Sequence, residues 1–189
     1  DWPYSADKTS PRLKQIDRDW MWYQAWMRYA WNPDYEETTE KLYWTKELAS
    51  YFGCSDQAGA EVLEALEKIG ECAPRILRRI GITEGNRQTM ALGMTMSELT
   101  NVKKYRPNYE LWKSVSTPGE QPDEYVLKNI KGERHFGETP VEMAQDVLRF
   151  SEEALAAIEK AGESVTKNRE EYERYVTDIQ ATRLICQVY

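Results

Sequence analysis

The sequence predicts an all-α fold, a multi-helix bundle or layered helical array with no significant sheet. Three observations predict it. Apolar residues return at three- and four-residue steps through most of the chain. Ser/Thr-Pro and Gly signals punctuate those runs as helix starts and stops. No segment alternates apolar and polar as a half-buried strand does. With 189 residues, a single core can bury roughly 70% of the unfolded surface without metal or disulfide staples. The expected organisation is an extended lead-in over 1–9 and a single helical domain over 10–189. Both ends read as cuts through a longer polypeptide, because the chain opens on Asp1 and closes at Tyr189 while a helical pattern is still running.

Ser10-Pro11 is an N-cap followed by a first-turn proline, so the first helix is expected there. Leu13, Ile16, Trp20, Tyr23, Met27, Ala30 and Trp31 fall within an arc of about 100°, the width of a core-facing stripe. Trp22, Trp26 and Tyr29 fall on the opposite side. A narrow polar line of Asp17, Gln24 and Arg28 runs between them. The second half of this helix is therefore apolar nearly all round, which predicts a helix sandwiched between two layers.

Asn32-Pro33-Asp34 breaks the pattern, since proline disfavours the α conformation at the residue before it. A second helix then runs to Phe52, with Leu42, Leu48, Ala49 and Phe52 inward and Gly53 as its stop. Ser55-Asp56 starts a third, on which Ala58, Val62, Leu66, Ile69, Ala73, Ile76, Leu77 and Ile80 hold a helical period, and Pro74 predicts a kink or break. A further helix is expected over 86–99 and a short one over 123–130. Between them lies the least regular stretch, 101–122. Gly132 to Gly137 is a turn carrying His135. Thr139-Pro140 repeats the cap-plus-proline signal and opens a strong helix with Ala144, Val147, Leu148, Ser151, Leu155 and Ile158 on one face, interrupted at Gly162. The last helix runs from about Val165 to the end, with Tyr172, Val176, Ile179 and Ile185 along it.

The formal net charge of −7 leaves no basic footprint for neutralising phosphates, which excludes nucleic acid as an expected partner. No stretch reaches the ~20 consecutive apolar residues of a membrane span, and Asp1 to Ser10 lack a signal-peptide core. Cys54, Cys72 and Cys186 are far apart with no CxxC spacing. A zinc site and a dense disulfide framework are both unsupported, and at most one pair can bridge. All three lie in or beside apolar helical patterns, the setting of buried structural thiols. Seven Trp and twelve Tyr stand against three Phe. These amphipathic rings suit wet interfaces and sugar-stacking surfaces as well as half-buried core positions.

No P-loop, dinucleotide fingerprint, nucleophile elbow or zinc-protease motif is present. A di-iron bundle needs Glu-x-x-His, and position 132, three before His135, is glycine. No cofactor and no metal site is expected. The carboxylate runs Glu36, Glu37, Glu40 and Glu61, Glu64, Glu67, Glu71 have the spacing of solvated helix faces. A glycosidase acid pair comes from distant segments and is not legible in spacing, so no catalytic residue is assigned.

The segment Trp26-Met27-Arg28-Tyr29-Ala30-Trp31-Asn32-Pro33-Asp34, followed by a Glu/Thr-rich run and Trp44, resembles the start of the helical region that follows the catalytic barrel in α-glucuronidase-type glycoside hydrolases. The upstream stretch from Pro11 to Trp20 is similar to carbohydrate-utilisation proteins of gut Bacteroidetes with the same layout. Met27 stands where that family prefers glycine, which argues against a close backbone approach there. The resemblance implies a non-catalytic accessory domain that packs against a catalytic barrel of the same parent chain and lines an edge of the substrate cleft. It also implies that the catalytic acids lie in that barrel and that the protein is periplasmic or secreted.

The candidate ligand or partner contacts are Arg28 and Asn32 in the resembling motif, Tyr105, Tyr109 and Trp112 in the irregular stretch, and His135 in its turn. The expected partner is the catalytic barrel, with carbohydrate second and a homodimer left open. The competing readings are a helical protein-interaction or scaffold module unrelated to sugars and a free-standing small-ligand-binding helical protein.

Overall fold

The computed structural model describes residues 14–80, 82–83, 100–104, 107–108 and 119–189. The described residues form α1 (Gln15–Arg18), α2 (Trp20–Trp31), α3 (Glu37–Phe52), α4 (Asp56–Ile80), α5 (Pro122–Lys131), α6 (Pro140–Gly162) and α7 (Arg169–Cys186). The fold is all-α. Among the described residues the only strand ladder is a two-residue antiparallel rung, Ile82–Thr83 against Pro107–Asn108, too short to form a layer. The helix expected over 86–99 lies outside the described residues. The chain divides into two compact units, Asp1–Leu42 and Tyr43–Tyr189.

In the first unit, the helix expected to run unbroken from Ser10 is interrupted at Asp19. Its backbone leaves the helical region (φ −105°, ψ 30°), and its carboxylate is gripped by Arg18 Nε and Nη2 at 2.8 and 2.6 Å. A short polar side chain that finds a local partner competes with helix continuation in this way. The larger departure concerns α2. None of its residues is buried, so the expected sandwich is not seen among the described residues.

The second unit holds the core. Along α3 the inward face begins at Trp44 and continues through Leu48, Ala49 and Phe52. Leu42, expected inward, is exposed because it precedes the packed part of the helix. Gly53 stops α3 in the left-handed region (φ +61°), where a Cβ would also collide with Thr166 and Lys167. The Ser55 hydroxyl accepts from the Ala58 amide at 3.2 Å and starts α4. This helix continues through Pro74 to Ile80, so of the kink or break expected there the break does not occur; the proline removes one backbone donor without ending the helix. Gly59 permits close packing on α3: a Cβ there would strike the Thr45 carbonyl and Ala49. This offsets the ~1 kcal/mol that a mid-helix glycine costs.

Thr139 caps α6 as expected, and it does so through a reciprocal pair, its hydroxyl accepting from the Glu142 amide at 3.2 Å while the Glu142 carboxylate accepts from the Thr139 amide at 2.9 Å. The buried line of α6 is Met143, Val147, Ser151, Ala154, Ile158 and Ala161. It is rotated from the expected face, leaving Ala144, Leu148 and Leu155 on its flank. The rotation follows from two neighbours, since α6 packs on both α4 and α7. Gly162 ends α6 beside the Tyr172 ring, and the Tyr172 hydroxyl donates to the Ile158 carbonyl. Phe52 meets Tyr172 and Tyr175 edge-on at 5.2 and 5.7 Å. Each large apolar side chain buried here contributes about 1.5–3 kcal/mol relative to exposure.

Candidate functional site

Two arrangements stand out from this scaffold, one in each unit. In the first, Arg28 closes on Glu40 with a forked contact: Nε lies 3.1 and 3.0 Å from the two carboxylate oxygens and Nη2 lies 2.6 Å from one of them. The side chains are only 20% and 12% exposed. This is the carboxylate partner that a half-buried guanidinium requires, because an unpaired buried charge is too costly to keep. The guanidinium also sits over the Tyr35 ring at 4.1 Å, with Tyr29 edge-on to Tyr35. Asn32 accepts from the Asp34 amide at 3.1 Å and so shapes the Pro33 turn as an Asx turn does. Arg28 and Asn32 thus come together, as a clasp that fixes the end of α2 to the start of α3.

What the clasp presents is the aromatic surface of α2. Trp22 is 58% exposed, Trp26 64%, Met27 69% and Trp31 89%. Trp22 and Trp26 lie one turn apart with ring centroids at 6.1 Å. Tyr105, Tyr109 and Trp112 lie outside the described residues.

The second arrangement surrounds His135. Its Nδ1 is 2.6 Å from Glu120 Oε2, its Nε2 is 3.3 Å from Asn129 Oδ1, and its ring stacks on Tyr125 at 4.6 Å. Both ring nitrogens are engaged within the chain. Glu120 has no exposed surface, and its carboxylate also accepts from Lys128 Nζ at 2.7 Å and from the Phe136 amide at 3.0 Å. Burial pushes its pKa up, but Lys128 first, then His135 and the Phe136 amide, outweigh it and hold the group at about 2. Beside it, Arg79, 1% exposed, donates to Glu138 at 3.1 and 2.9 Å and to the Glu120 carbonyl at 3.5 Å. Gly119 makes room, since a Cβ there would press on the Arg79 guanidinium. The result is a charged knot tying the end of α4 to α5, the 132–139 turn and the start of α6.

The sequence points to His135 as a candidate contact but not to Glu120 or Arg79, which the structure places beside it. Arg79 was detectable: it lies three residues after Ile76 and seven after Cys72, on the buried face of α4, where a charge signals a buried partner. Glu120 carries no such signal. A shallow depression beside the knot is lined by Gly137, Glu138, Glu142, Gln145 and Asp146. Its carboxylates are engaged: Glu138 by Arg75 and Arg79, Glu142 in the cap, Asp146 by Arg149. Among the described residues no group of three His, Cys, Asp or Glu side chains is placed to hold a metal ion. No described helix is long and apolar enough to cross a membrane. Cys72 and Cys186 are buried free thiols in one apolar cluster with Ile76, Met143 and Val147, and Cys54 is half-buried. The hydrogen bond with Cys186, then burial, pushes the Cys72 thiol up; burial pushes Cys54 up.

No protein-family model matches the chain, and no curated protein matches it. Among solved structures, a GH138 enzyme targeting pectin rhamnogalacturonan II is similar over 98% of this chain, with 41% identity and a TM-score of 0.83. The match spans 22% of that enzyme's chain. The chain is similar to one helical region of a glycoside hydrolase. The likeness is thus to glycoside hydrolases in general, and the solved neighbour is a GH138 enzyme rather than an α-glucuronidase. At this identity and coverage the glycoside hydrolase-like region comprises both units, including the α2 surface and the Glu120 knot.

Proposed function

We propose that the chain is a non-catalytic helical region of a carbohydrate-active, glycoside hydrolase-like enzyme and packs against the catalytic part of the same polypeptide. One observation carries this reading: the similarity extends over 98% of this chain but only 22% of the GH138 enzyme. Most of such an enzyme, its catalytic acids included, then lies outside the helical region. The carboxylates of the Glu120 knot and of the adjoining depression agree with this, because they are committed to structural partners.

The finer features belong to the same proposal. The segment from Trp26 to Asp34 is the part akin to the α-glucuronidase helical region, and the catalytic part it adjoins is a barrel. The glycan class is that of the solved neighbour, pectin rhamnogalacturonan II, and the protein works outside the cytoplasm. Arg28 and Asn32 hold the turn that faces the catalytic part. Tyr105, Tyr109 and Trp112 supply rings toward the cleft, and His135 orders the turn before α6.

The test uses the parent protein and the isolated chain with rhamnogalacturonan II oligosaccharides. The parent is expected to release sugar and the isolated chain none. An Asp or Glu substitution within these residues that abolishes turnover while leaving the parent's melting temperature and glycan binding unchanged would remove the non-catalytic assignment.

A further inference from the structure

Helix α2 has the sequence of a helix covered on two sides, yet none of its residues is buried. Trp22 and Trp26 occupy one face, and Met27 and Trp31 lie on roughly the opposite one at 100° per residue. All four are more than half exposed. Monomeric proteins rarely leave contiguous apolar surface of this kind in water. The clasp of Arg28 on Glu40 and the Asn32 turn hold this end of the helix in place. Its surface is therefore presented by a fixed frame.

The occupant follows from geometry. A sugar ring stacks on one aromatic face, so it cannot cover rings on opposite sides of a helix. A second copy laid along α2 covers one face and leaves the other. Covering both takes a groove, and a chain similar to 22% of a longer enzyme has a source of one in the remainder of its own polypeptide. We propose that α2 is a wedge that inserts into a groove formed by the rest of the parent polypeptide, with Trp22 and Trp26 against one wall and Met27 and Trp31 against the other. This rests on the function proposed above, which supplies the rest of the polypeptide.

The experiment is hydroxyl-radical footprinting of the full-length parent, read by mass spectrometry. Trp44, buried within this chain alone at 7% exposure, is the internal standard. Trp22, Trp26, Met27 and Trp31 are expected to lose their reactivity down to the level of Trp44. Oxidation at the rate of open surface residues overturns the wedge. Photoreactive benzoylphenylalanine in place of Trp31 then names the cover. Cross-links to peptides of the same polypeptide outside these 189 residues support the wedge, whereas cross-links within them or to a second copy overturn it. Sugar release assayed on the same sample keeps the two proposals apart. A protected but inactive parent sinks the function and leaves the wedge; an active parent with exposed rings does the reverse.

Discussion

Helix α2 and the knot around Glu120 hold opposite kinds of surface in opposite surroundings. Trp22, Trp26 and Trp31 remain in water, whereas Glu120 and Arg79 are sealed from it. Each departs from the usual partition of residues, but in only one are the departing groups provided for among the described residues. Glu120 and Arg79 have their charges met by Lys128, His135 and Glu138. Trp22, Trp26 and Trp31 have a frame, and each stays more than half exposed among the described residues. A buried charge with complete partners marks structure, while an exposed apolar helix on a fixed frame is the surface we propose to be covered by the rest of the polypeptide.

Substitutions in the isolated chain can break that contrast. The largest effect is expected from Trp44→Ala, a buried tryptophan whose loss should cost about 3–5 kcal/mol by urea denaturation. Arg79→Ala should cost about 3 kcal/mol, because it leaves Glu138 with Arg75 alone and opens a cavity; a neutral outcome would mean that the knot is not structural. The Arg28–Glu40 clasp should show a coupling of about 1–2 kcal/mol in a cycle of Arg28→Met and Glu40→Leu, read from amide exchange along α2. Additive effects would remove its role as a frame. Trp31→Ala should change stability by less than about 0.5 kcal/mol, in contrast to Trp44→Ala. A large loss would show that Trp31 is already covered within the chain.

Acid titration probes the knot from another side. Glu120 is held at about 2 against an ordinary value of 4.5. A depressed carboxylate contributes stability that is fully present above its unfolded value and lost as pH falls through its folded one. The urea midpoint should therefore fall between pH 4.5 and 2. The fall should be shallower in Glu120→Gln than in the parent sequence; equal slopes would show that the carboxylate gains nothing on folding.

Much of the fold was legible because its signals are local. Thr139-Pro140, Gly53 and Gly162 start or stop helices through groups a few residues away, and the structure uses each as the spacing implies. The rotation of the α6 face was not legible, since it depends on packing against both α4 and α7. The interruption at Asp19 depends on a side-chain pairing with Arg18 that helical periodicity does not register. Arg28 was legible as a charge on a polar line between apolar faces. Glu120 was not, because its partners converge from α5 and the turn after it, and the spacing of a lone Glu before Gln121-Pro122 says nothing about them. The sandwich expected for α2 is not seen among the described residues, which leave the whole helix unburied. Periodicity reports that a face wants covering and is silent about which part of a polypeptide covers it.

The unequal burial of the three thiols has a practical consequence. Cys72 and Cys186 are interred with Ile76 and Val147, while Cys54, just beyond the Gly53 stop, keeps partial access to solvent. A maleimide fluorophore therefore has one preferred attachment point in the unmodified sequence, at the joint between α3 and α4. Because burial raises the Cys54 thiol, little thiolate is present at neutral pH and the reaction is slow, so mildly alkaline buffer will set the labelling rate. Within these 189 residues that dye would report on the α3–α4 joint with none of the three cysteines replaced.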